Sequence, residues 1–572
     1  MNRNVFFAAR AIGALSSLTA STLGGTANYR TIAQSGLAAP GSTGLFQSFG
    51  QPRIGEDGRV AFQANTSGLI GASGMWATAL DNPQDLDAFV IQGAVIPGGT
   101  PSQRFGEFGA PFHHPLIGDG VIGFSAPVLD GWPADPATGA FKLDGNTLES
   151  VVIPGEAYPA AGAGASISAV SNLLTMNHNG LIACKLYLDG PTIHAGNNTA
   201  LGLEWFGGVT MVQREGGAAP GIPGTTFGEA TSFYGVYVTD NGKVGYCSQL
   251  NGTDGCNWSV WYGYPGAMTM VVNGNDISPL SLPYNDISPF YTDLSVNDSG
   301  VTFKQSVVDN GANRTGYWRY NGNTVTSLAC KGEWGPLGIC AAVSDYTAPT
   351  NASGATVLRI EADNFNLGAD EDSAVIRVNA NGSKDIIARE GDHPYAMGTG
   401  VEFDEFVNYD SAAIDDTGRV YFMAHVRGLG INNDNDEGIW SRDANGTFNL
   451  IIREGQFIRL ADGLGRWVDS FSFAEGEGSQ AGRSGGFNSL GQVALRVTCT
   501  DGTSAVVVAT IPPVCQGDVN GDGFVNFEDL NLVLAHWNQF GPVGTQGDAD
   551  LDGDTDFDDL NIVLTNWGST CS

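Results

Sequence analysis

Residues 411–426 read SAAIDDTGRVYFMAHV, in which a polar turn ending at Gly418 separates two apolar, alternating segments. Alternation with a period of two predicts β-strands, and the short turn between them predicts an antiparallel pair. We call this element the marker turn. It recurs along most of the chain, and its spacing therefore decides the fold.

The glycines of the marker turn stand at positions 58, 120, 180, 242, 300, 354, 418 and 491, with steps of 54 to 73 residues. A second marker, clearest in MVQREG, DIIAREG and LIIREG, places its glycine at positions 36, 93, 155, 216, 274, 332, 391 and 455. The two markers are independent of each other. Together they indicate eight copies of a unit of roughly sixty residues.

Four short strands are predicted within one unit, residues 403–455: FVNYDSAAI, RVYFMAHV, GIWSRD and FNLIIREG. Four strands per copy are typical of a propeller blade. The last copy ends at residues 504–511 without a fourth strand, whereas residues 29–36 carry a spare one before the first marker turn. We therefore predict a mainly β, eight-bladed propeller-like domain over residues 28–511, closed by strand 29–36, in preference to another β-repeat or a solenoid.

A shorter repeat follows, because GDVNGDGFVNFEDLNLVLAHW (517–537) and GDADLDGDTDFDDLNIVLTNW (547–567) match with a constant offset. Each copy offers oxygen donors at loop positions 1, 3, 5, 9 and 12, a backbone carbonyl at 7 and a glycine at 6, which is the spacing of a calcium loop. We predict two calcium ions, the second in the more charged site. The predicted ligands are Asp518, Asn520, Asp522, Phe524, Asn526, Asp529, Asp548, Asp550, Asp552, Asp554, Asp556 and Asp559, with Phe524 and Asp554 acting through their carbonyls.

Each loop carries Asp rather than Glu at position 12 and leads into a single helix, and in both respects it resembles a dockerin module. The resemblance covers residues 515–572 and implies a small α-helical unit, here bounded as 512–572, that binds a cohesin-like or other cell-envelope protein. The positions that commonly contact the partner are Phe527 with Glu528 and Phe557 with Asp558.

The composition excludes some partners. The chain of 572 residues has 60 acidic and 26 basic residues, for a net charge of -34, and no Lys or Arg follows Arg496. Phosphate binding depends on Lys and Arg, so we expect no nucleic acid partner. No window of eighteen apolar residues occurs, so we expect no membrane span.

The N-terminus predicts export. Residues 1–27 contain Arg3 and Arg10, a short apolar stretch and a small-residue site near Gly25 to Ala27, as in a signal peptide. Export is compatible with disulfides among the eight cysteines, although the sequence does not fix their pairing. Cys247 with Cys256 and Cys330 with Cys340 are close enough for local bridges, and Cys515 and Cys571 bracket the calcium loops.

The propeller region resembles exported bacterial tandem-repeat proteins with an N-x-x-G-x-x-x-F signature and varied C-terminal anchoring or sorting modules. The first position is Asn at 177, 297, 351 and 488, whereas Gly55, Ile117, Thr239 and Asp415 depart from it. The resemblance implies an extracellular or cell-surface location and no particular reaction.

Catalytic patterns are weak. Ser484 in GRSGG lacks the strand-to-helix context of a nucleophile elbow, and the histidines, such as His178 and His425, show no metal-ligand spacing. Acidic loops such as 432–438 are interpreted as solvated. Trp76, Trp261, Trp318 and Trp440 fall on the third strand of their units and indicate either inter-blade core or a platform for stacking carbohydrate.

These features favour an exported, non-enzymatic, calcium-binding repeat protein that acts as an extracellular binding or structural protein, with the dockerin-like module for attachment. Two alternatives stay open: a component that degrades extracellular polysaccharide, with catalytic residues assembled across blades, and a purely structural envelope protein. A polysaccharide is a further candidate partner.

Overall fold

The computed structural model describes the chain in segments. These are residues 27–67, 72–80, 82, 85–109, 115–130, 137–205, 207–228, 236–252, 258–274, 276–284, 294–343, 348–363, 372–398, 400–406, 412–444, 446–474, 485–511, 517–520, 524–540, 547, 549 and 554–570. The first 26 residues of the expected signal peptide, Ser484, Cys256, Cys515 and Cys571 lie outside them.

Antiparallel sheets of four or five strands follow one another along the chain as blades. The strands of blade 1 are Phe46–Phe49, Arg53–Ile54, Val60–Thr66, Ser73–Thr78 and Leu86–Ile91. Those of blade 2 are Gln103–Phe105, Leu116–Ile117, Val121–Asp130, Ala137–Asp144 and Thr147–Val152. Those of blade 3 are Ser166–Met176, Ile182–Asp189, Thr199–Trp205 and Gly208–Arg214, preceded by a 3-10 turn at Pro159–Ala161. Those of blade 4 are Thr226–Phe227, Val236–Val238, Val244–Asn251, Trp258–Tyr264 and Ala267–Asn273.

The second half of the propeller repeats this order. The strands of blade 5 are Leu294–Asn297, Gly300–Asp309, Ala312–Tyr320 and Val325–Cys330. Those of blade 6 are Trp334–Gly335, Gly338–Val343, Thr356–Asp363, Ser373–Val378 and Lys384–Arg389. Those of blade 7 are Val401–Glu405, Ala412–Ile414, Val420–Gly428, Glu437–Arg442 and Phe448–Arg453. Those of blade 8 are Phe457–Arg459, Gly465–Phe473, Gln492–Cys499, Ser504–Thr510 and the N-terminal Asn28–Gln34.

The mainly β, eight-bladed propeller is therefore confirmed. Asn28–Gln34 pairs antiparallel with Ser504–Thr510, with Tyr29 opposite Ala509 and Gln34 opposite Ala505. This is the pairing that the order of the two markers predicts. It covers the edge that the last blade would otherwise expose.

The marker turns join neighbouring blades. Their glycines have positive φ, for example 86° at Gly418 and 74° at Gly491, which explains why glycine recurs there. Where the first turn residue is Asn, its side-chain Nδ2 donates at 2.9 Å to the first carbonyl of the next marker turn. These bonds run from Asn177 to Thr239, Asn297 to Asn351, Asn351 to Asp415 and Asn488 to Gly55.

The core lies between blades. Val506 and Val508 of blade 8 pack against blade 1, whereas the alternate Val507 packs towards blade 7, so this strand is buried on both faces. The four tryptophans that lie on the next-to-last strand of their blades are fully buried, and their ring N–H groups are hydrogen-bonded. Trp76, Trp261, Trp318 and Trp440 are thus inter-blade core and not a carbohydrate platform.

The chain separates into two compact units, one containing residues 25–444 and 449–512 and the other residues 513–572. The second unit has two helices, Phe527–Ala535 and Phe557–Thr565, and two short paired strands, Gln539–Phe540 and Asp554–Thr555. No helix in the described residues is long and apolar enough to cross a membrane.

The local bridge that the spacing of Cys330 and Cys340 would permit is not formed, because both are buried free thiols. The Cys340 Sγ lies 3.2 Å from the carbonyl of Ala342, and the Cys330 Sγ is directed towards the carbonyl of Arg314. Burial raises the pKa of Cys330 to about 12, which disfavours the thiolate that disulfide exchange requires. Cys247 is buried, and the bridges to Cys256 and between Cys515 and Cys571 involve cysteines outside the described residues.

Candidate functional site

The second unit is built from two interlocked copies of the loop and helix. A Cβ at Gly517 would lie 3.0 Å from the Val563 Cα, and one at Gly547 would lie 2.6 Å from the Val533 Cα. Each loop thus begins against the helix of the other copy, where only glycine leaves room. The two helix valines are fully buried with Val525 in a small core.

Backbone hydrogen bonds also join each copy to the other. The Val525 N–H of the first loop donates at 3.0 Å to the carbonyl of Ser569, a residue that follows the second helix. The equivalent strand after the first helix pairs Gln539 with Thr555 of the second loop. Neither copy therefore completes its own backbone pairing, so the two loops form one folding unit.

The twelfth position of each loop is a buried carboxylate. Asp529 and Asp559 are both 0% exposed. One oxygen of Asp529 accepts from the Asn526 N–H at 2.8 Å and the other from the Asn520 N–H at 3.1 Å. Asp559 accepts from the N–H groups of Asp556 and Ala549. In each copy the position-12 side chain therefore holds its own loop around itself.

The ninth position begins each helix. The Asn526 side chain accepts from the Glu528 N–H at 2.7 Å, and the Asp556 side chain accepts from the Asp558 N–H at 2.8 Å. With the position-12 carboxylate these contacts form a capping box at each helix start. In each copy, the predicted ligands at positions 9 and 12 are therefore also the residues that end the loop and start the helix.

The remaining predicted ligands are only partly described. Asp518 is half-buried, Asn520 is exposed, and Phe524 lies in the loop with its ring exposed. Asp554 begins the short strand Asp554–Thr555. Among the described residues no group of three or more His, Cys, Asp or Glu is placed to hold a metal ion. Four predicted ligands lie outside those residues: Asp522, Asp548, Asp550 and Asp552.

Two histidines of the propeller, His178 and His393, make local polar contacts. His178 Nδ1 lies 2.9 Å from the Asp240 carboxylate across a blade boundary, and His393 Nδ1 lies 2.7 Å from the carbonyl of Val401. In loop 432–438 the Asn435 side chain accepts a hydrogen bond from the Asn432 N–H, so part of the turn is stabilised by hydrogen bonds within the loop itself. These contacts indicate local packing rather than a catalytic centre.

Sequence reasoning did not single out an exposed aromatic pair in blade 8. Phe457 and Trp467 are each 55% exposed, and their ring centroids lie 5.1 Å apart at 63°. They are opposite each other on the hairpin formed by Phe457–Arg459 and Gly465–Phe473. The short alternating segment FIR, next to the second marker, was the available signal.

The closed ring of blades defines the chain as an eight-bladed β-propeller protein. Within that class, the chain belongs to the family of unknown function DUF7453, whose model matches residues 4–394 and 379–514. No curated protein matches it significantly.

Solved structures that match this chain include an oligogalacturonate lyase in complex with manganese, which is 10% identical over 70% of this chain and 94% of that chain, with a TM-score of 0.33. The β-propeller domain of the Trilobed protease from Pyrococcus furiosus is 8% identical over 70% of this chain and 94% of that chain, with a TM-score of 0.36. A Trypanosoma rangeli sialidase in complex with sialic acid is 13% identical over 61% and 56%, with a TM-score of 0.27. At these values none of them informs the function of this chain.

Proposed function

We propose that this chain is an exported, calcium-binding propeller protein that a C-terminal dockerin-like unit attaches to a partner outside the cell or at its surface. The observation that carries the proposal is the pair of fully buried carboxylates, Asp529 and Asp559. A buried carboxylate is costly unless a positive charge accompanies its hydrogen bonds. Beyond Arg496 the chain has no Lys or Arg to supply that charge.

The donor chemistry fits calcium. The described predicted ligands offer only carboxylate, amide and carbonyl oxygens, which hard divalent cations prefer to nitrogen or sulfur. Asp529 uses one hydrogen bond on each oxygen, and a carboxylate has about four acceptor sites, so capacity remains for an ion. Calcium, when bound, would offset two of the negative charges in each loop. The capping boxes would then tie that loop to the start of its helix.

An exposed surface on both helices suits attachment. Phe527 and Leu534 of the first helix are 68% and 52% exposed, and Phe557 and Leu564 of the second are 62% and 51% exposed. The same apolar pair is thus presented twice among acidic neighbours. We propose a protein partner, cohesin-like or from the cell envelope, with an apolar patch bordered by Lys and Arg. The propeller then serves as the binding or structural body, without a catalytic role.

Calcium binding is tested by calorimetry on the full chain after removal of divalent ions. We expect two ions per chain, and we expect the double variant Asp529→Asn with Asp559→Asn to lose both. Glu528→Gln with Asp558→Asn is the matched control, because these exposed acidic neighbours lie outside the predicted ligand set. Absence of calcium binding, or equal binding by both double variants, would contradict the proposal.

Attachment is tested by incubating the full chain with solubilised envelope proteins of the source cell, with calcium or with chelator. We expect capture of a defined partner in calcium only, and its loss in Phe527→Ala with Phe557→Ala. Leu490→Ala, which removes an exposed apolar side chain from the propeller, is the control. Capture that is indifferent to calcium and to the phenylalanines would refute attachment through this unit, while leaving the calcium result intact.

A further inference from the structure

The hairpin that opens blade 8 has two different faces. Ile458 and Val468 are 2% and 1% exposed and anchor one face in the core. Phe457 and Arg459 alternate with Ile458 and therefore lie on the other face, together with Trp467 opposite Phe457. An aromatic pair and a cation are thus presented to solvent on an anchored support.

The support is rigid. Arg466 donates to the Asp462 carboxylate at 2.6 and 2.8 Å and to the Asp501 carboxylate at 2.8 Å. The Trp467 carbonyl accepts from the Thr500 N–H at 3.0 Å. These contacts hold the hairpin to the next turn of the same blade, so the exposed rings are preorganised and lose little freedom on binding.

The position of Phe457 depends on the residue beside it. A Cβ at Gly465 would collide with the Phe457 ring, so the missing side chain is what lets that ring lie across the hairpin against Trp467. Arg459 pairs with Gly465 across the strands and is exposed. Its guanidinium forms no hydrogen bond or ion pair with any residue that the structure describes.

We propose that Trp467, Phe457 and Arg459 form a binding site for a pyranose ring of a polysaccharide. One face of a pyranose consists of C–H groups, whose partial positive charge suits the negative face of an aromatic ring. The hydroxyl or carboxylate groups at the rim of the sugar match the free donors of the guanidinium. An apolar surface with one or two convergent polar groups is the usual composition of a small-ligand site.

The size of the patch favours a sugar over a protein. Two aromatic side chains of about 150–250 Å² each, about half exposed, offer roughly 200 Å², whereas a stable protein interface buries about 800 Å² on each partner. Beyond the two rings, the turn of the hairpin adds the exposed side chain of Leu464, and the acidic Asp469 is exposed beside Trp467. An apolar protein surface would therefore find little further area to cover, while one or two sugar rings would fill the patch.

Affinity electrophoresis of the full chain tests the site, in gels that contain hydroxyethylcellulose or xylan as neutral polysaccharides, or polygalacturonate or hyaluronan as acidic ones. We expect retardation in at least one gel. Because the chain carries a net charge of -34, retardation by an acidic polysaccharide would not arise from general charge attraction.

Trp467→Ala should weaken binding about tenfold or more, as expected for a central aromatic contact, and Trp467→Phe should retain most of it. If Arg459 recognises a carboxylate, Arg459→Ala should weaken binding to the acidic polysaccharides more than to the neutral ones. If it recognises a hydroxyl group, the variant should weaken binding to both kinds of polysaccharide equally. Trp334→Ala is the control, since Trp334 is 78% exposed on the equivalent hairpin of blade 6 but is paired with Ile339 rather than an aromatic residue.

No retardation in any of the four gels would overturn the proposal, as would equal affinities for wild type and Trp467→Ala with unchanged circular dichroism. A change of self-association in Trp467→Ala, seen by light scattering without any retardation, would instead assign the platform to a second copy of the chain. Neither result depends on calcium binding or attachment by the C-terminal unit.

Discussion

Replacing Asn488 with alanine should lower the free energy of unfolding of the propeller by about 2–4 kcal/mol. Asn488 is 1% exposed and lies in the marker turn that meets the first blade. Its Nδ2 donates to the Gly55 carbonyl and to the Gln492 side chain, both at 2.9 Å. Its Oδ1 accepts from the N–H groups of Leu490 and Gln492 at 3.1 Å.

The magnitude follows from those four bonds. A neutral hydrogen bond contributes about 0.5–1.5 kcal/mol net, and a buried group left without a partner costs about 1–3 kcal/mol. The Gly55 carbonyl still accepts a hydrogen bond from the Gly58 N–H within its own turn, so losing the bond from Asn488 accounts for the smaller part of the destabilisation. The two N–H groups that Oδ1 satisfied account for the larger part.

Two variants help to separate these contributions. Asn488→Asp keeps the two bonds that Oδ1 accepts but places a carboxylate oxygen against the Gly55 carbonyl and the Gln492 side-chain oxygen, so it should destabilise through the two bonds that Nδ2 donates. Thr239→Ala is the matched control, because Thr239 has the same turn position and its Oγ1 accepts only from Lys243 within its own turn. It should cost about 1 kcal/mol or less.

Urea unfolding followed by tryptophan fluorescence measures these differences, since four of the reporting tryptophans are buried between blades. We expect the midpoint to fall in the order wild type, Thr239→Ala, Asn488→Ala. If Asn488→Ala were no less stable than Thr239→Ala, the bond to Gly55 would not contribute to closing the propeller.

Deleting residues 28–34 should expose the edge strand Ser504–Thr510 and cause aggregation, seen by light scattering; an unchanged melting temperature would contradict closure by this strand. Burial, with the nearby Glu437 carboxylate, raises the pKa of Glu454 to about 7. The folded state therefore retains a proton that the unfolded chain releases, so stability should fall as pH rises from 4.5 towards 7, and Glu454→Gln should flatten this trend in melting temperature. Because Cys330 is a buried free thiol, Cys330→Ser should not change the number of disulfides that form when the protein is treated with mild oxidant. Mass spectrometry that finds a disulfide between Cys330 and Cys340 in the wild-type protein would contradict this.

The number of blades and their closure could be predicted because they depend on local signals. The positive φ of Gly418 and its equivalents restricts that position largely to glycine, so the spacing of these glycines along the sequence gives the length of the repeat. The spare strand, predicted at residues 29–36 and found at Asn28–Gln34, followed from counting markers. Neither step required knowledge of which distant residues come into contact.

The contacts between blades could not be predicted in the same way. The acceptor for Asn177 is the carbonyl of Thr239, and every residue has a carbonyl, so the partner leaves no trace in the sequence. Which aromatic residues are exposed could not be predicted either, because buried and exposed ones occur in the same local sequence pattern. Trp440 and Trp467 both lie in alternating strands, but Trp440 is buried between blades, while Trp467 is in the edge hairpin of blade 8, on the face opposite Ile458 and Val468.

Two of the four departures from Asn in the marker turns, Gly55 and Thr239, become intelligible once the bond between turns, rather than the residue, is considered. At Thr239 no side-chain amide is available, but Lys243, four residues later, donates to the carbonyl of Asp298 in the next turn at 2.9 Å. At Gly55, Arg59 stands four residues later in the same way, and its guanidinium donates to the carbonyl of Gly120 in the next turn at 3.4 Å. A signature based on Asn alone therefore undercounts the repeats of this propeller, because the property shared by six of the eight marker turns is a side-chain donor long enough to reach the neighbouring turn.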